Sequence, residues 1–316
     1  MCAIYGFLDY GKKVSTKMQK TLIRQLSVAA ECRGTDATCI SYVKDGAIVT
    51  FKLPKPAHKT KLYFPKGTST VIGHNRFTTQ GSEKKNCNNH PFEGRTPEHG
   101  FALAHNGILY NDREIRRTHQ LPMTQIETDS YAAVQLLEQE KSLNMESIRQ
   151  MAETVEGTFV FTILRSDNTL FLVRGDNPLT IYHFPALGLY VYASTKEILH
   201  KALQAAKFTM PAVEIPVKMG EIIGIEADGK LFRGSFEIKD DFRYGQLWHD
   251  WMCQFDSEDD EEDDLLLVCG YFGVDREEVK YLRSCGYTTD EIEEMLLDLN
   301  LLDDALEEAK ALRNTV

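Results

Sequence analysis

The chain opens Met1-Cys2-Ala3-Ile4-Tyr5-Gly6-Phe7, and the reading of Cys2 decides what fold to expect. A secretory leader needs a basic start and a long apolar stretch, and neither is present. Cysteine is small enough for the initiator Met1 to be removed, which would leave Cys2 with a free α-amino group beside its thiol. The thiolate is the attacking form of cysteine, and an α-amino group with an ordinary pKa near ~8 accepts a proton around neutral pH. One residue would then supply both the nucleophile and its base. Taken alone, a Met-Cys start is also a common accident, so the rest of the chain has to decide.

Composition sets the outer bounds. With 316 residues, 42% hydrophobic and 26% charged, this is an ordinary globular protein of one large or two modest domains. No apolar run is long enough to span a bilayer, so no membrane partner is expected. Seven irregularly spaced cysteines argue against a disulfide framework and for a reducing, cytoplasmic setting. Neither Cys-x-x-Cys nor His-x-x-x-His spacing occurs, so no metal site is expected. No phosphate loop is present either, and no cofactor is called for.

The net charge of -11 is unevenly distributed. Residues 1–255 carry 31 Lys and Arg against 27 Asp and Glu, a balance of +4. Residues 256–316 carry 5 against 20, a balance of -15. Eight of the nine residues from Asp256 to Asp264 are acidic; such a run repels itself and reads as a solvated linker. The expected organisation is therefore a first domain over 1–255, an acidic linker over 256–264 and a small helical domain over 265–316. Nucleic acid is a poor partner for so acidic a tail. Its apolar residues recur at helical spacing, and a turn at Cys285-Gly286-Tyr287 followed by an N-cap at Thr288 or Thr289 suggests a small helical bundle that braces the first domain or docks a partner.

The first domain is rich in strand signals. GAIVTFKL (46–53), STVIGHNRF (69–77), FALAHNG (101–107), GTFVFTILRSDNTLFLVRGD (157–176), LTIYHFPALGLYVYAS (179–194) and GEIIGIEADGKLF (220–232) are β-branched and aromatic runs punctuated by Gly, Asn and Pro. Helical periodicity predicts helices over 16–30, with Met18, Leu22, Leu26 and Ala29 on one face, over 128–138 and over 195–205. Strands in bulk with a few helices predict a layered α+β fold.

Polar clusters sit within these strands. His74, Asn75 and Arg76 interrupt an apolar strand pattern that ends in Thr79, Gln80 and Gly81, His105-Asn106-Gly107 closes another strand, and Thr128-Asp129 opens a helix. Singly, each has an ordinary structural reading: Arg76 as a snorkelling strand residue, Asn106-Gly107 as a turn, Thr128 or Asp129 as an N-cap.

Their joint order behind Cys2 resembles the class II glutamine amidotransferases, the N-terminal-nucleophile glutaminase domains. The matching segments are MCAIYGF, CRGTDATC, GHNRFTTQGS, NNHPF, LAHNGILYN and ETDSY, continuing more weakly through EGTFVFTIL, VRGDNPLTIY and YASTKEIL. The resemblance implies a four-layer αββα sandwich and hydrolysis of L-glutamine through a γ-glutamyl thioester on Cys2. It also implies that Arg76 grips the substrate carboxylate, that Asp129 receives its ammonium, and that Asn106 and Gly107 form the oxyanion hole. Arg33, Thr79 and Gln80 fall in matching segments and are expected to shape the pocket. His74 is expected to be a packed or supporting residue rather than a general base.

Two departures bear on the subfamily: Phe77 stands where the family usually has Trp, and Gln80 where it usually has His. Only about 60 residues follow the first domain, without a recognisable acceptor-domain motif. The leading expectation is a glutaminase that hands ammonia to a separate synthase protein. The alternatives are a stand-alone hydrolase of γ-glutamyl amides and a non-catalytic glutamine-binding regulatory domain. Assembly with a second copy of the chain is compatible with all three.

Overall fold

The computed structural model describes residues 2–238, 276–288, 291, 292, 295 and 305. The chain divides into two compact units, Met1–Asp241 and Phe242–Val316. The acidic run over 256–264 and most of the expected C-terminal bundle lie outside the described residues.

In the first unit the order is β1 (Ala3–Asp9), α1 (Thr16–Ala29), β2 (Ala37–Lys44), β3 (Ala47–Leu53), β4 (Thr70–Arg76), β5 (Phe92–Arg95), β6 (Gly100–Leu109), α2 (Asp112–Thr118), α3 (Tyr131–Gln139) and α4 (Met145–Thr154). It continues with β7 (Gly157–Arg165), β8 (Leu170–Arg174), β9 (Thr180–Phe184), β10 (Leu189–Ala193), α5 (Lys196–Ala205), β11 (Val213–Ile215), β12 (Glu221–Ile225) and β13 (Leu231–Ser235). The strands form two antiparallel sheets, one ordered β11-β9-β10-β1-β4-β2-β3 and the other β13-β12-β8-β7-β6-β5.

Period-two alternation explains how the sheets stack. Along β1, Tyr5 and Phe7 pack with Leu22 and Leu26 of α1 and Ile198 and Leu199 of α5. Ile4 and Leu8 instead join Ile72, Ala102, Ala104, Val160 and Leu164 in a core between the sheets. On the far side, Leu103 and Phe161 pack with Ile115, Val134, Leu137 and Ile148 of α2, α3 and α4. The result is a helix–sheet–sheet–helix sandwich, the four-layer α+β fold expected from the sequence. Each buried Leu, Ile or Phe contributes roughly 1.5–3 kcal/mol by leaving water.

Helix α1 shows where the periodicity reading was off. Its buried stripe runs Gln19, Leu22, Ile23, Leu26 and Ser27, rotated from the apolar face expected. Gln19 is buried because its Nε2 donates to Asp9 Oδ2 at 2.8 Å and Thr68 O at 3.4 Å. Helix α4 has no counterpart among the expected helices, although Asn144 and Ser147 form a capping box at its start. The N-cap of α3 is Ser130, so Thr128 and Asp129 precede the helix and neither fills the cap position.

In the second unit, α6 (Arg276–Ser284) buries Val279 and Leu282. Gly286 follows at φ +100, and Thr288 accepts a bond from Glu291 N at 3.3 Å while donating to Glu291 Oε2 at 2.8 Å. Of the two expected cap residues, Thr288 makes these bonds and Thr289 lies outside the described residues. Among the described residues, no helix is long and apolar enough to cross a membrane.

Candidate active site

Strand parity gathers the chemistry at one place between the sheets. Ile4 on β1, Ile72 on β4 and Ala104 on β6 face the inter-sheet core. Cys2, His74 and Arg76, and Asn106 continue those same rows. Two pairings fix the register: Ala3 with Asn75 and Asn106 with Val160.

Cys2 is half-buried, with its Sγ 3.4 Å from both the backbone oxygen and the backbone nitrogen of Phe77. Arg33 Nε donates to Cys2 O at 2.9 Å, which fixes the peptide that carries the thiol. Burial pushes the Cys2 thiol above its usual range; the Phe77 N–H and the Arg76 charge pull it down without offsetting that rise. The resting thiol is neutral, and a base is needed at the moment of attack.

Arg76 is 2% exposed. Its guanidinium donates to Asn89 Oδ1 at 2.8 Å, Gln80 O at 2.6 Å and Gly81 O at 2.9 Å. All three acceptors are neutral, and among the described residues no carboxylate pairs with it. A buried cation held this way retains its full charge for an anionic ligand. Gln80 also reaches the other charge, because its Oε1 accepts from Asp129 N at 2.8 Å. The Asp129 carboxylate accepts from Leu109 N at 2.6 Å through Oδ2 and lies 3.1 Å from Ser130 Oγ through Oδ1. One exposed glutamine thus links the segments carrying a buried cation and a buried anion that do not neutralise each other.

Asn106 is fully buried, and neither atom of its carboxamide has a partner among the described residues. Burying an unpaired donor and acceptor costs roughly 1–3 kcal/mol per group, so the carboxamide carries hydrogen-bonding capacity that the described residues do not use. Its backbone oxygen accepts from Asn177 Nδ2 at 3.0 Å, tying the strand end in place. Gly107 follows at φ +143, and a Cβ there would lie 1.9 Å from Thr158 O. Glycine is therefore demanded by the neighbouring strand as well as by any approach of a substrate.

His74 is buried, 3.0 Å from His105 O through Nε2, and its pKa is pushed down to about 3 by burial and by the Arg76 charge. It cannot take a proton at neutral pH and supports the packing. Thr79 is exposed and, among the described residues, its side chain forms no hydrogen bond. Thr78 is the anchored threonine of that pair, with its N–H donating to Asp36 Oδ2 at 2.7 Å.

Sequence reasoning assigned no role to several residues that hold this arrangement. Asn89 orients Arg76, and Asn177 fixes the Asn106 backbone. Asn88 clasps Glu127 through Nδ2 to Oε2 at 2.6 Å and Glu127 N to Oδ1 at 3.0 Å. The signal was present in NNHPF and RGDNP, clusters of short polar residues inside an otherwise strand-rich chain. Among the described residues, no group of His, Cys, Asp and Glu side chains is arranged to hold a metal ion.

Known proteins share this segment. Residues 74–201 match the family model described as a glutamine amidotransferase domain. An amidophosphoribosyltransferase from Methanocaldococcus jannaschii is 30% identical over 243 residues, covering 72% of this chain and 49% of that protein. A 7-cyano-7-deazaguanine synthase from Sulfolobus acidocaldarius is 28% identical over 208 residues, covering 61% of this chain and 43% of that protein. The chain thus matches less than half the length of these relatives. The fold matches a glutamine phosphoribosylpyrophosphate amidotransferase from B. subtilis with a TM-score of 0.58 at 18% identity, covering 75% of this chain and 50% of that one. An allosteric regulatory enzyme of purine biosynthesis matches with a TM-score of 0.60 at 20% identity, over 75% of this chain and 50% of that one. The chain belongs to the class II, N-terminal-nucleophile glutamine amidotransferase family.

Proposed function

We propose that the first unit hydrolyses L-glutamine to glutamate and ammonia, and that the ammonia is used by an acceptor enzyme bound outside residues 2–238. The observation that carries this reading is the pair of unneutralised buried charges, Arg76 and Asp129, linked through Gln80 and both within electrostatic reach of the Cys2 thiol. A free amino acid presents a carboxylate and an ammonium a few ångströms apart, and the guanidinium fork and the carboxylate complement them.

Once Met1 is removed, the α-amino group of Cys2 takes the thiol proton as Sγ attacks the side-chain amide carbon. The amide oxygen becomes an oxyanion, stabilised by the Asn106 side-chain N–H and the Gly107 backbone N–H. Collapse breaks the carbon–nitrogen bond, the α-ammonium returns the proton to the leaving nitrogen, and ammonia departs. Water then attacks the γ-glutamyl thioester, releasing glutamate and restoring the thiol. Relatives whose names refer to a deazaguanine and to a phosphoribosyl group share this segment, which supports a common glutamine reaction serving different acceptors.

The test is turnover of glutamine and of several γ-glutamyl amides by protein whose N-terminus has been verified by intact mass. Ammonia and glutamate should appear in equal amounts from glutamine, and neither Cys2→Ala nor protein retaining Met1 should release them. Faster cleavage of the bulkier amides than of glutamine would favour a stand-alone amide hydrolase. Binding of glutamine without turnover would favour a regulatory domain.

A further inference from the structure

We propose that His105 is a positioning residue that keeps Asp129 open to the substrate ammonium by drawing the hydroxyl proton of Ser130 away from it. This rests on the glutaminase reading above.

The argument starts from one proton that two acceptors compete for. Ser130 Oγ lies 2.7 Å from His105 Nδ1 and 3.1 Å from Asp129 Oδ1, and a hydroxyl has a single hydrogen to donate. All three residues are buried, so within the fold the hydroxyl has these two acceptors to choose between. The other ring nitrogen decides the competition. His105 Nε2 faces Thr158 O at 3.3 Å, and a carbonyl oxygen only accepts, so Nε2 is the nitrogen that carries hydrogen. A neutral imidazole then leaves Nδ1 bare, and the Ser130 hydroxyl donates to it across the shorter of its two contacts. Burial keeps His105 on the neutral side of its ordinary range, against the pull of Asp129 and Asp176.

Asp129 is left with Oδ2 bonded to Leu109 N and with Oδ1 carrying no donor. That free oxygen is what an incoming ammonium needs. If His105 were instead protonated or in the other tautomer, Nδ1–H would donate to Ser130 Oγ and the hydroxyl would turn onto Asp129 Oδ1. The ammonium would then have to displace it. The same imidazole is fixed from the side by Phe161, its ring centroid 4.7 Å away, so it does not swing clear to relieve the competition.

Two measurements test this. The first is the tautomer of His105 in the unliganded wild-type protein, read from its ring nitrogen-15 shifts at pH 7; it does not depend on turnover. A neutral ring with hydrogen on Nε2 is expected. Hydrogen on Nδ1, or an imidazolium, would overturn the proposal whatever the enzyme's activity.

The second is a kinetic cycle on glutamine. His105→Leu should raise KM about tenfold, more than it changes kcat, because the Ser130 hydroxyl then falls back on Asp129. Removing that hydroxyl as well, in His105→Leu/Ser130→Ala, should return KM most of the way to the wild-type value. A histidine that merely filled space would give a double variant no better than the single one, and that result would also overturn the proposal. A wild-type protein that turned over no glutamine would count against the glutaminase reading, while the tautomer measurement would still decide this one.

Discussion

Each side chain at the site has a separable kinetic signature. Among the described residues Arg76 bonds neutral acceptors only, which leaves its charge unpaired, and a lysine cannot reproduce a two-pronged contact with a carboxylate. Arg76→Lys should therefore raise KM nearly as much as Arg76→Ala. Asp129→Asn keeps the shape but loses the charge, and should act mainly on KM. The Asn106 carboxamide has no hydrogen-bond partner among the described residues, so Asn106→Ala should spare KM and lower kcat by roughly two to three orders of magnitude, as loss of an oxyanion donor does elsewhere. An effect of Asn106→Ala confined to KM would show that the carboxamide binds the ground state. The thiol supplies a pH test. Because burial holds Cys2 above its usual range, its thiolate fraction should still be growing about tenfold per pH unit between pH 7 and 8. Inactivation by iodoacetamide should climb through that interval, and a plateau below pH 8 would mean that the thiolate is already formed at rest.

At the scale of elements, the strands were legible because β-branched and aromatic runs between turn residues have few other uses, and all six quoted runs lie in strands. Cys2, Arg76, Asn106 and Asp129 were singled out by their joint order along the chain, because each alone reads as a chance start, a snorkelling strand residue, a turn or a cap. Helix α2 was not legible, since its sequence DREIRRT offers a single apolar anchor, Ile115. The contacts around residues 77–89 were also hidden, because they rest on side-chain bonds between distant positions. Asn88 is fully buried, and its carboxamide bonds to Ser82 O at 3.2 Å as well as to both ends of Glu127. This holds the segment whose Gln80 and Gly81 carbonyls receive Arg76. Asn88→Leu should therefore raise KM for glutamine about tenfold while leaving kcat within a few-fold. Asn144→Ala, which removes the capping box of α4, should cost about 1 kcal/mol of stability and leave KM alone. Urea melts beside kinetics for the two variants separate the roles; equal KM values would mean that the segment needs no such clasp.

At the scale of the whole sandwich, the residues around the site keep the Arg76 cation and the Asp129 anion buried, while burial holds the neighbouring imidazoles neutral. His74, His90 and His105 come from β4, from the segment before β5, and from β6, with ring centroids 4.4 Å apart for the first pair and 6.3 Å for the second. Burial lowers all three, His74 to about 3, and the fixed charge of Arg76 lowers His74 and His90 further. In the unfolded chain each would titrate near ~6.5. Above that value both states are neutral and the histidines do not weaken the fold. As the pH falls below it, the unfolded chain binds protons that the folded one refuses. Each such histidine then removes up to about 1.4 kcal/mol of stability per pH unit until its folded pKa is reached. The unfolding free energy should accordingly be flat from pH 8 to 7 and fall below pH 6.5, with His74 alone removing about 2 kcal/mol by pH 4.5. His74→Leu should flatten that slope, because its proton-binding difference between the folded and unfolded chain is gone. Urea midpoints across the pH range provide the measurement. A loss of less than about 1 kcal/mol between pH 6.5 and 4.5 would mean that the folded protein accepts these protons, and that the space around Arg76 is far wetter than its burial implies.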